Sequence, residues 1–321
     1  MVSEWSAREC LDALERREVS SVELVDACIM RIERLNPELN AVVATDFERA
    51  REAARASDDA RAGGASLGPL HGVPMTIKDA LQTAGLVTTS GAPELRDFVP
   101  REDAVAVDRV LRAGAIVLGK TNLPIYAGDW QTYNEVYGRT NNPWDVTRTV
   151  GGSSGGSAAA IAAGFVPLDI GSDIAGSVRT PAHYCGVYGH KPTYGVVPTR
   201  GHIPGPPGTR AEADLGIIGP LARTPEDLAL LLDVIAGPDE LEAPGWTLEL
   251  PPPSPTTPSP KSSASVATSS PRTRPADCFS RTRAGLRRTR SITVGSHSPR
   301  WPAFPRPALQ SGGAPRGSRS T

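Results

Sequence analysis

The 321-residue chain is long enough for one large or two ordinary domains, and its 39% hydrophobic and 5% aromatic content suits an α/β enzyme. The formal net charge of −1 conceals a division: residues 251–321 hold 12 of the 34 basic residues and one of the 35 acidic residues, so residues 1–250 are strongly acidic. No apolar run approaches the roughly 18 residues of a membrane span, and the first residues are too polar for a signal peptide. The four cysteines lack CxxC spacing, which argues against a metal site or disulfides. We expect a cytoplasmic protein without a cofactor.

Three helices are predicted in the first 62 residues, and they indicate packing rather than chemistry. The first covers Glu4–Arg17. The second begins at the capping box Ser20–Glu23, in which the serine and glutamate side chains satisfy free N–H groups of the first turn, and Asn36–Pro37 should end it. The third covers Thr45–Ala62.

Helices and strands then alternate, which predicts a mixed β-sheet core covered by helices on both faces. Val73–Ile77 is a short predicted strand with Lys78 directly after it, at the strand end where sites form in open α/β sheets. A lysine after a strand is usually a surface residue, so Lys78 alone carries little weight. A helix over 104–113 and a strand over 115–119 follow.

Two glycine- and serine-rich turns, Gly151–Ser157 and Gly171–Ser177, flank a small-residue helix over 157–164 and a strand over 165–170. Glycine is used this densely where backbone approaches another group closely or adopts conformations that side chains forbid. A single turn of this kind is most often a loop with helix-capping serines. Two such turns around one helix–strand unit favour a functional site.

The first turn has P-loop glycine spacing but lacks the following Lys and Ser/Thr, and no dinucleotide fingerprint is present. No histidine stands in an obvious catalytic context, and Ser177 lacks the G-x-S-x-G pattern. A serine nucleophile would then need another base, which a buried lysine such as Lys78 can supply. Backbone N–H groups of Ile174, Ala175 and Gly176 could face a developing oxyanion.

Later in the chain, the Gly/Pro-rich stretch 201–208 is a candidate pocket rim. Thr224–Asp227 predicts a helix start, with an N-cap threonine, a proline at the first position and acids in the first turn, and Gly237–Pro238 should stop that helix. From about residue 251 no periodicity persists. This segment is predicted to be a disordered basic tail or the product of a frame shift near Pro253, since a GC-rich gene yields Arg, Pro, Ser, Ala and Gly out of frame.

Four segments resemble the amidase signature family, whose members hydrolyse amides with a Ser–cis-Ser–Lys triad. In family order they are GVPMTIKD (72–79), VGGSSGGSAAAIAAG (150–164), GSDIAGSVRTPA (171–182) and CGVYGHKPTYG (185–195). The resemblance covers roughly residues 5–250. It implies the amidase-signature α/β fold.

The resemblance also implies roles for individual residues. Lys78 resembles the triad lysine, Ser153 the cis-serine and Ser177 the nucleophile. Proton transfer from Ser177 to Ser153 to Lys78 would lead to an acyl-enzyme. Ala175 stands where the family usually has glycine. Supporting roles are implied for Ser154, Asp173 and Arg179, the last two as a pair that holds the loop.

The expected division is a catalytic region over residues 1–250 and the basic tail over 251–321. Family members are longer, so the fold is expected to be incomplete at its C-terminal side. The leading hypothesis is an amidase that cleaves the C–N bond of a small-molecule amide. The alternatives are the glutaminase-type A subunit of tRNA-dependent amidotransferase and an inactive truncated amidase. We expect neither nucleic acid nor a membrane as a partner, and a homodimer is left open.

Overall fold

The computed structural model describes residues 4–203 and 214–250. The predictions for the 251–321 tail, and for most of the 201–208 rim, lie outside the described residues. The helices and strands are as follows: α1 (Ala7–Glu15), α2 (Ser21–Leu39), β1 (Val42–Thr45), α3 (Phe47–Ala62), β2 (Pro74–Lys78), α4 (Val105–Arg112), β3 (Ile116–Thr121), β4 (Tyr133–Asn134), β5 (Gly138–Arg139), α5 (Gly155–Ala162), β6 (Leu168–Asp173), α6 (Arg179–Cys185), β7 (Tyr188–Gly189), β8 (Ile217–Ala222) and α7 (Pro225–Ile235). No helix in these two ranges has the length and apolar character that crossing a membrane requires.

Six strands form one mixed sheet, which confirms the predicted mixed-sheet core, and their order is β1-β3-β2-β6-β8-β7. Strands β4 and β5 form a separate small hairpin. The three central strands β3, β2 and β6 are parallel, and β1, β8 and β7 run antiparallel to their neighbours. Because β2 and β6 are parallel neighbours, their carboxyl ends meet at one sheet edge. Lys78 and Asp173 end these two strands.

Each face of the sheet has its own hydrophobic cluster. The first contains buried residues from α1, α4 and α7 together with Met75 and Ile77 of β2. The second contains residues from α3, α5 and α6 together with Ile116 and Leu118 of β3. Successive side chains on a strand point to opposite faces, so Lys78 points away from the face of Ile77 and toward the face that α5 covers.

Several predicted boundaries are wrong in the structure: α1 covers Ala7–Glu15 instead of Glu4–Arg17, and Lys78 is the last residue of β2 instead of the residue after it. Helix α2 does not end at Asn36–Pro37 but continues to Leu39, because Asn40 takes the left-handed conformation and donates its N–H to the Asn36 carbonyl at 2.7 Å. The small-residue helix covers Gly155–Ala162 instead of 157–164. The following strand covers Leu168–Asp173 instead of 165–170, since Pro167 precedes it and pairing with β8 extends to Asp173.

The predicted cap of α7 is confirmed, and it extends to a second helix. Thr224 Oγ1 accepts the N–H of Asp227, with Pro225 at the first helical position. The buried carboxylate of Asp227 accepts the N–H groups of Ala7 and Arg8, each at 3.0 Å. One side chain near the start of α7 therefore satisfies two free N–H groups at the start of α1.

We predict that Asp227→Ala lowers the free energy of unfolding by about 1–3 kcal/mol, because it leaves two α1 N–H groups without their charged acceptor. Urea unfolding followed by circular dichroism measures the change. Asp233→Ala, at an exposed position of the same helix, is the matched control and should change stability little. Equal effects of the two substitutions would show that the contact with α1 contributes nothing.

Candidate active site

The site is built around the side-chain amine of Lys78. Lys78 is the last residue of β2, and its side chain lies under α5. Lys78 is fully buried, and its Nζ lies 2.6 Å from Ser153 Oγ, 3.0 Å from Ser154 Oγ and 3.0 Å from Ser172 Oγ. Three hydroxyl groups thus replace the water that an exposed ammonium would have. The structure brings Lys78 and Ser153 into direct contact, as the resemblance implies.

Burial lowers the pKa of Lys78 to about 7, because the loss of water outweighs the attraction of Asp169 and Asp173, which acts in the opposite direction. Loss of solvent disfavours the charged form of an amine. A lysine with this pKa has a large neutral fraction at neutral pH, and only the neutral amine has a lone pair that can accept a proton. The site therefore contains a group suited to act as a general base.

Close backbone packing brings Ser153 and Ser154 to the lysine. The peptide bond between Gly152 and Ser153 is cis, and α5 begins directly after Ser154. At Gly156 a Cβ atom would lie 2.3 Å from the backbone nitrogen of Asn122, so only glycine allows α5 to approach the end of β3 this closely. The first glycine-rich turn is thus a packing requirement that delivers two serines to Lys78.

The second turn, which follows β6, is held by the carboxylate of Asp173. That carboxylate accepts the N–H of Gly176 at 2.7 Å and of Val178 at 3.0 Å, and it pairs with the Arg179 guanidinium through Nε at 3.1 Å and Nη2 at 3.0 Å. Burial raises the pKa of Asp173, but the Arg179 and backbone hydrogen bonds outweigh it and hold the pKa at about 2. The pair implied by the resemblance is present and is ionised at neutral pH.

Ser177 ends this turn and is joined to Ser154 through the backbone, since the Ser154 N–H donates to the Ser177 carbonyl at 3.0 Å. Its side chain is almost fully buried. Within residues 4–203 and 214–250, no hydrogen bond joins the side chains of Ser177 and Ser153. Hydrogen bonds of this kind are often long before substrate binds.

The three backbone positions expected to face an oxyanion differ in the structure. The prediction is wrong for Gly176, whose N–H donates to Asp173 and is therefore occupied. The N–H groups of Ile174 and Ala175, and that of Ser177, have no acceptor among the described residues. Gly176 has a φ of +112°, where a side chain would be strained. The Ala175 carbonyl accepts from the Trp130 indole at 3.0 Å, and Ile174 is 56% exposed.

Two polar residues near Lys78 were not among the predicted site residues. Ser172 precedes Asp173 on β6, and its hydroxyl lies between Lys78 Nζ and the Nε2 atom of His202, which is 2.8 Å away. Side-chain alternation along β6 places Ser172 on the face of Ile170 and Ile77, opposite to that of Lys78, so strand periodicity alone could not have indicated this contact. Nothing in the local sequence of His202 indicates this position, which depends on a bridge between Leu81 and His202.

A second buried lysine lies one strand away. Lys120 on β3 donates to the Leu81 carbonyl and to Thr83 Oγ1, the latter at 2.7 Å. Burial lowers its pKa to about 8 against the attraction of Asp79 and Asp169. This lysine fixes the loop that follows β2. In the two described ranges, no cluster of three or more His, Cys, Asp or Glu side chains could hold a metal ion.

Comparison with known proteins agrees with this geometry. The amidase family model matches residues 23–270. The A subunit of glutamyl-tRNA(Gln) amidotransferase from Carboxydothermus hydrogenoformans is 43% identical over 246 residues, which are 77% of this chain and 50% of that protein. The chain belongs to the amidase signature family.

Solved structures of this family match the same region. A bacterial aryl acylamidase of the amidase signature family superposes with a TM-score of 0.70 at 32% identity, over 77% of this chain and 50% of the other. 6-Aminohexanoate cyclic dimer hydrolase superposes with a TM-score of 0.66 at 38% identity, over 74% of this chain and 47% of the other. This amidase signature chain therefore spans about half the length of the relatives it matches.

We predict that burial of Lys78 makes the stability of this amidase signature protein depend on pH above neutrality. The unfolded lysine has a pKa of about 10.4, so between about pH 7 and 10 the unfolded state binds a proton that the folded state does not. The free energy of unfolding should therefore rise with pH relative to that of Lys78→Met. Urea unfolding of both proteins across this pH range measures the difference.

Ser153→Ala is the control for this experiment, because it removes one of the three hydroxyls around the Lys78 amine but keeps the lysine. It should retain the rise in stability with pH. A constant offset between wild type and Lys78→Met across the whole range would mean that Lys78 is charged in the folded state.

Proposed function

We propose that this chain is an amidase that cleaves the C–N bond of a carboxylic amide, with Ser177 as nucleophile, Ser153 as proton relay and Lys78 as base. The observation that carries the proposal is the buried Lys78 amine at 2.6 Å from Ser153 Oγ. Burial lowers the pKa of this amine to about 7. A solvent-exposed lysine amine would be protonated at neutral pH and could not accept the serine proton.

The acylation step follows from the order of these groups. Lys78 accepts the Ser153 proton while Ser153 accepts the Ser177 proton, and Ser177 Oγ bonds to the amide carbon. The N–H groups of Ala175 and Ser177 face the oxygen that gains negative charge, and each such donor contributes about 3–4 kcal/mol in comparable sites. The protons return along the same path to the leaving nitrogen, and the C–N bond breaks to leave an ester on Ser177.

Water completes the reaction. It gives a proton to the same relay and attacks the ester carbonyl, and the carboxylic acid leaves as Ser177 recovers its proton. Asp173 and Arg179 act on this step through the backbone, because their ion pair fixes the turn that presents Ser177.

Small aryl or alkyl amides are the substrate class that fits the exposed apolar side chains beside Ser177. Trp130 and Ile174 are 60% and 56% exposed beside the nucleophile turn. The indole of Trp130 is held in place by its hydrogen bond to the Ala175 carbonyl. An apolar group of the substrate can pack on these two side chains while its amide reaches Ser177.

The second candidate is a glutaminase-type component of a tRNA-dependent amidotransferase, which the 43% identity to such a protein supports. In that role the amide would be glutamine, and the released ammonia would pass to a partner protein. Ammonia release from glutamine that appears only after the partner proteins are added would favour this candidate. Hydrolysis of aryl amides by the isolated chain would favour the first.

We predict that a fluorophosphonate probe adds once to the wild-type chain and that Ser177→Ala abolishes the adduct, because phosphonylation requires an activated serine. Lys78→Ala should slow labelling by at least about 10²-fold at neutral pH through loss of the base. Intact-mass spectrometry over a time course measures both effects.

Ser66→Ala, at an exposed loop serine, is the matched control and should label at the wild-type rate. An adduct that survives in Ser177→Ala would remove the nucleophile assignment. A folded wild-type chain that takes up no probe would contradict the proposed amidase activity of the isolated chain.

A further inference from the structure

The hydroxyl groups around Lys78 can each donate or accept a hydrogen bond, and the direction of each bond decides which of them the lysine lone pair can deprotonate. A neutral amine has two N–H donors and one lone pair. It faces three hydroxyls within 3.0 Å, those of Ser153, Ser154 and Ser172, and the Ser172 carbonyl at the longer distance of 3.5 Å. The amine can accept the Ser153 proton only if its lone pair points at Ser153. The two N–H groups then go to Ser154 Oγ and Ser172 Oγ, which at 3.0 Å are closer acceptors than the Ser172 carbonyl, and these two hydroxyls send their own protons elsewhere.

Ser154 and Ser172 each have a second acceptor for that purpose. Ser154 Oγ donates to the Ser172 carbonyl at 3.3 Å. Ser172 Oγ lies 2.8 Å from His202 Nε2. Ser153 has no acceptor for its proton among the described residues apart from Lys78. The arrangement thus distinguishes the three hydroxyls, although all lie within 3.0 Å of the amine.

We propose that His202 is a positioning residue that accepts the Ser172 proton at Nε2, and thereby directs the lone pair of Lys78 to Ser153. The inference rests on the proposed function and adds to it a residue that acts through Ser172 and does not touch the substrate. It requires the tautomer of His202 with its proton on Nδ1, because a protonated Nε2 would reverse the Ser172 hydrogen bond.

The backbone around His202 supports this role. The Ile203 N–H donates to the Ala80 carbonyl at 2.7 Å, and the Gln82 N–H donates to the Gly201 carbonyl at 2.9 Å. Both contacts join the histidine segment to the residues that directly follow Lys78. These two hydrogen bonds couple the backbone around His202 to the backbone that follows Lys78, so the two segments move together. The distances among His202, Ser172 and Lys78 are thereby maintained.

His202 also stays neutral, as an acceptor must. Desolvation lowers the pKa of His202 to about 3, and the nearby Lys78 acts in the same direction. A charged imidazolium would place a second positive charge beside the amine and would have no lone pair. At neutral pH the ring is therefore neutral. It accepts the Ser172 proton at Nε2 when its own proton is on Nδ1, and it donates to Ser172 when its own proton is on Nε2.

The kinetic test compares two substitutions of one residue. His202→Leu removes the acceptor, and Ser172 can then donate to Lys78 and compete with Ser153. We expect the maximal rate of fluorophosphonate labelling to fall by about 10²-fold with unchanged probe affinity. His202→Gln keeps a carbonyl oxygen as acceptor and should label within about 10-fold of wild type. His183→Leu, at an exposed histidine, is the control.

A double-mutant cycle separates this role from a merely structural one. If His202 acts through Ser172, then His202→Leu should have no further effect on the labelling rate in a Ser172→Ala protein. Additive losses, or equal losses in the Leu and Gln variants, would overturn the inference. Circular dichroism of each variant checks that the fold is retained.

The hydrogen bond itself can be measured without any activity. In ¹⁵N-labelled protein, His202, assigned by its absence in His202→Gln, should show the Nδ1–H tautomer, and the Nε2 resonance should shift in Ser172→Ala. A proton on Nε2 would overturn the inference even if labelling succeeds. Wild-type protein that shows the expected tautomer but takes up no probe would instead contradict the proposed function.

Discussion

The exclusion of water from the Lys78 amine is the constraint on which the rest of the site depends. Burying an ammonium without compensation is costly, and the fold responds by surrounding the nitrogen with three hydroxyls, while no carboxylate of the described residues contacts it directly. Asp173, which follows Ser172 directly in the chain, is engaged with Arg179 and the backbone of its own turn. A carboxylate bonded to Lys78 would restore the charge and remove the base.

The small residues of the two turns follow from this constraint. A hydroxyl can reach a buried amine only if its backbone comes within a few ångströms of the sheet, and glycine and alanine are the residues that permit this approach. Six of the eight residues of α5 are glycine or alanine, and all its residues from Gly155 to Ile161 are buried. Its close packing on β3 and β6 sets the distances at Lys78 more directly than any single polar contact.

Much of this could be predicted from the sequence, because local patterns carried the information. The capping box at Ser20–Glu23, the cap of α7 and the mixed sheet follow from neighbouring residues. The extension of α2 through Pro37 was not predicted, although Asn40, which closes that helix in the left-handed conformation, is a residue type that favours this position. The contact of His202 with Ser172 could not be predicted, because it depends on long-range pairing with Leu81.

The bond from Asp227 to the start of α1 joins groups that are 220 residues apart in the chain. During synthesis on the ribosome, α1 emerges among the first residues, yet its acceptor is made only near the end of the described region. Until then its apolar side, with Cys10 and Leu14, has no α7 to pack against. The start of α1 can therefore gain its carboxylate acceptor only after α7 has been made, although α1 is the first helix to be translated.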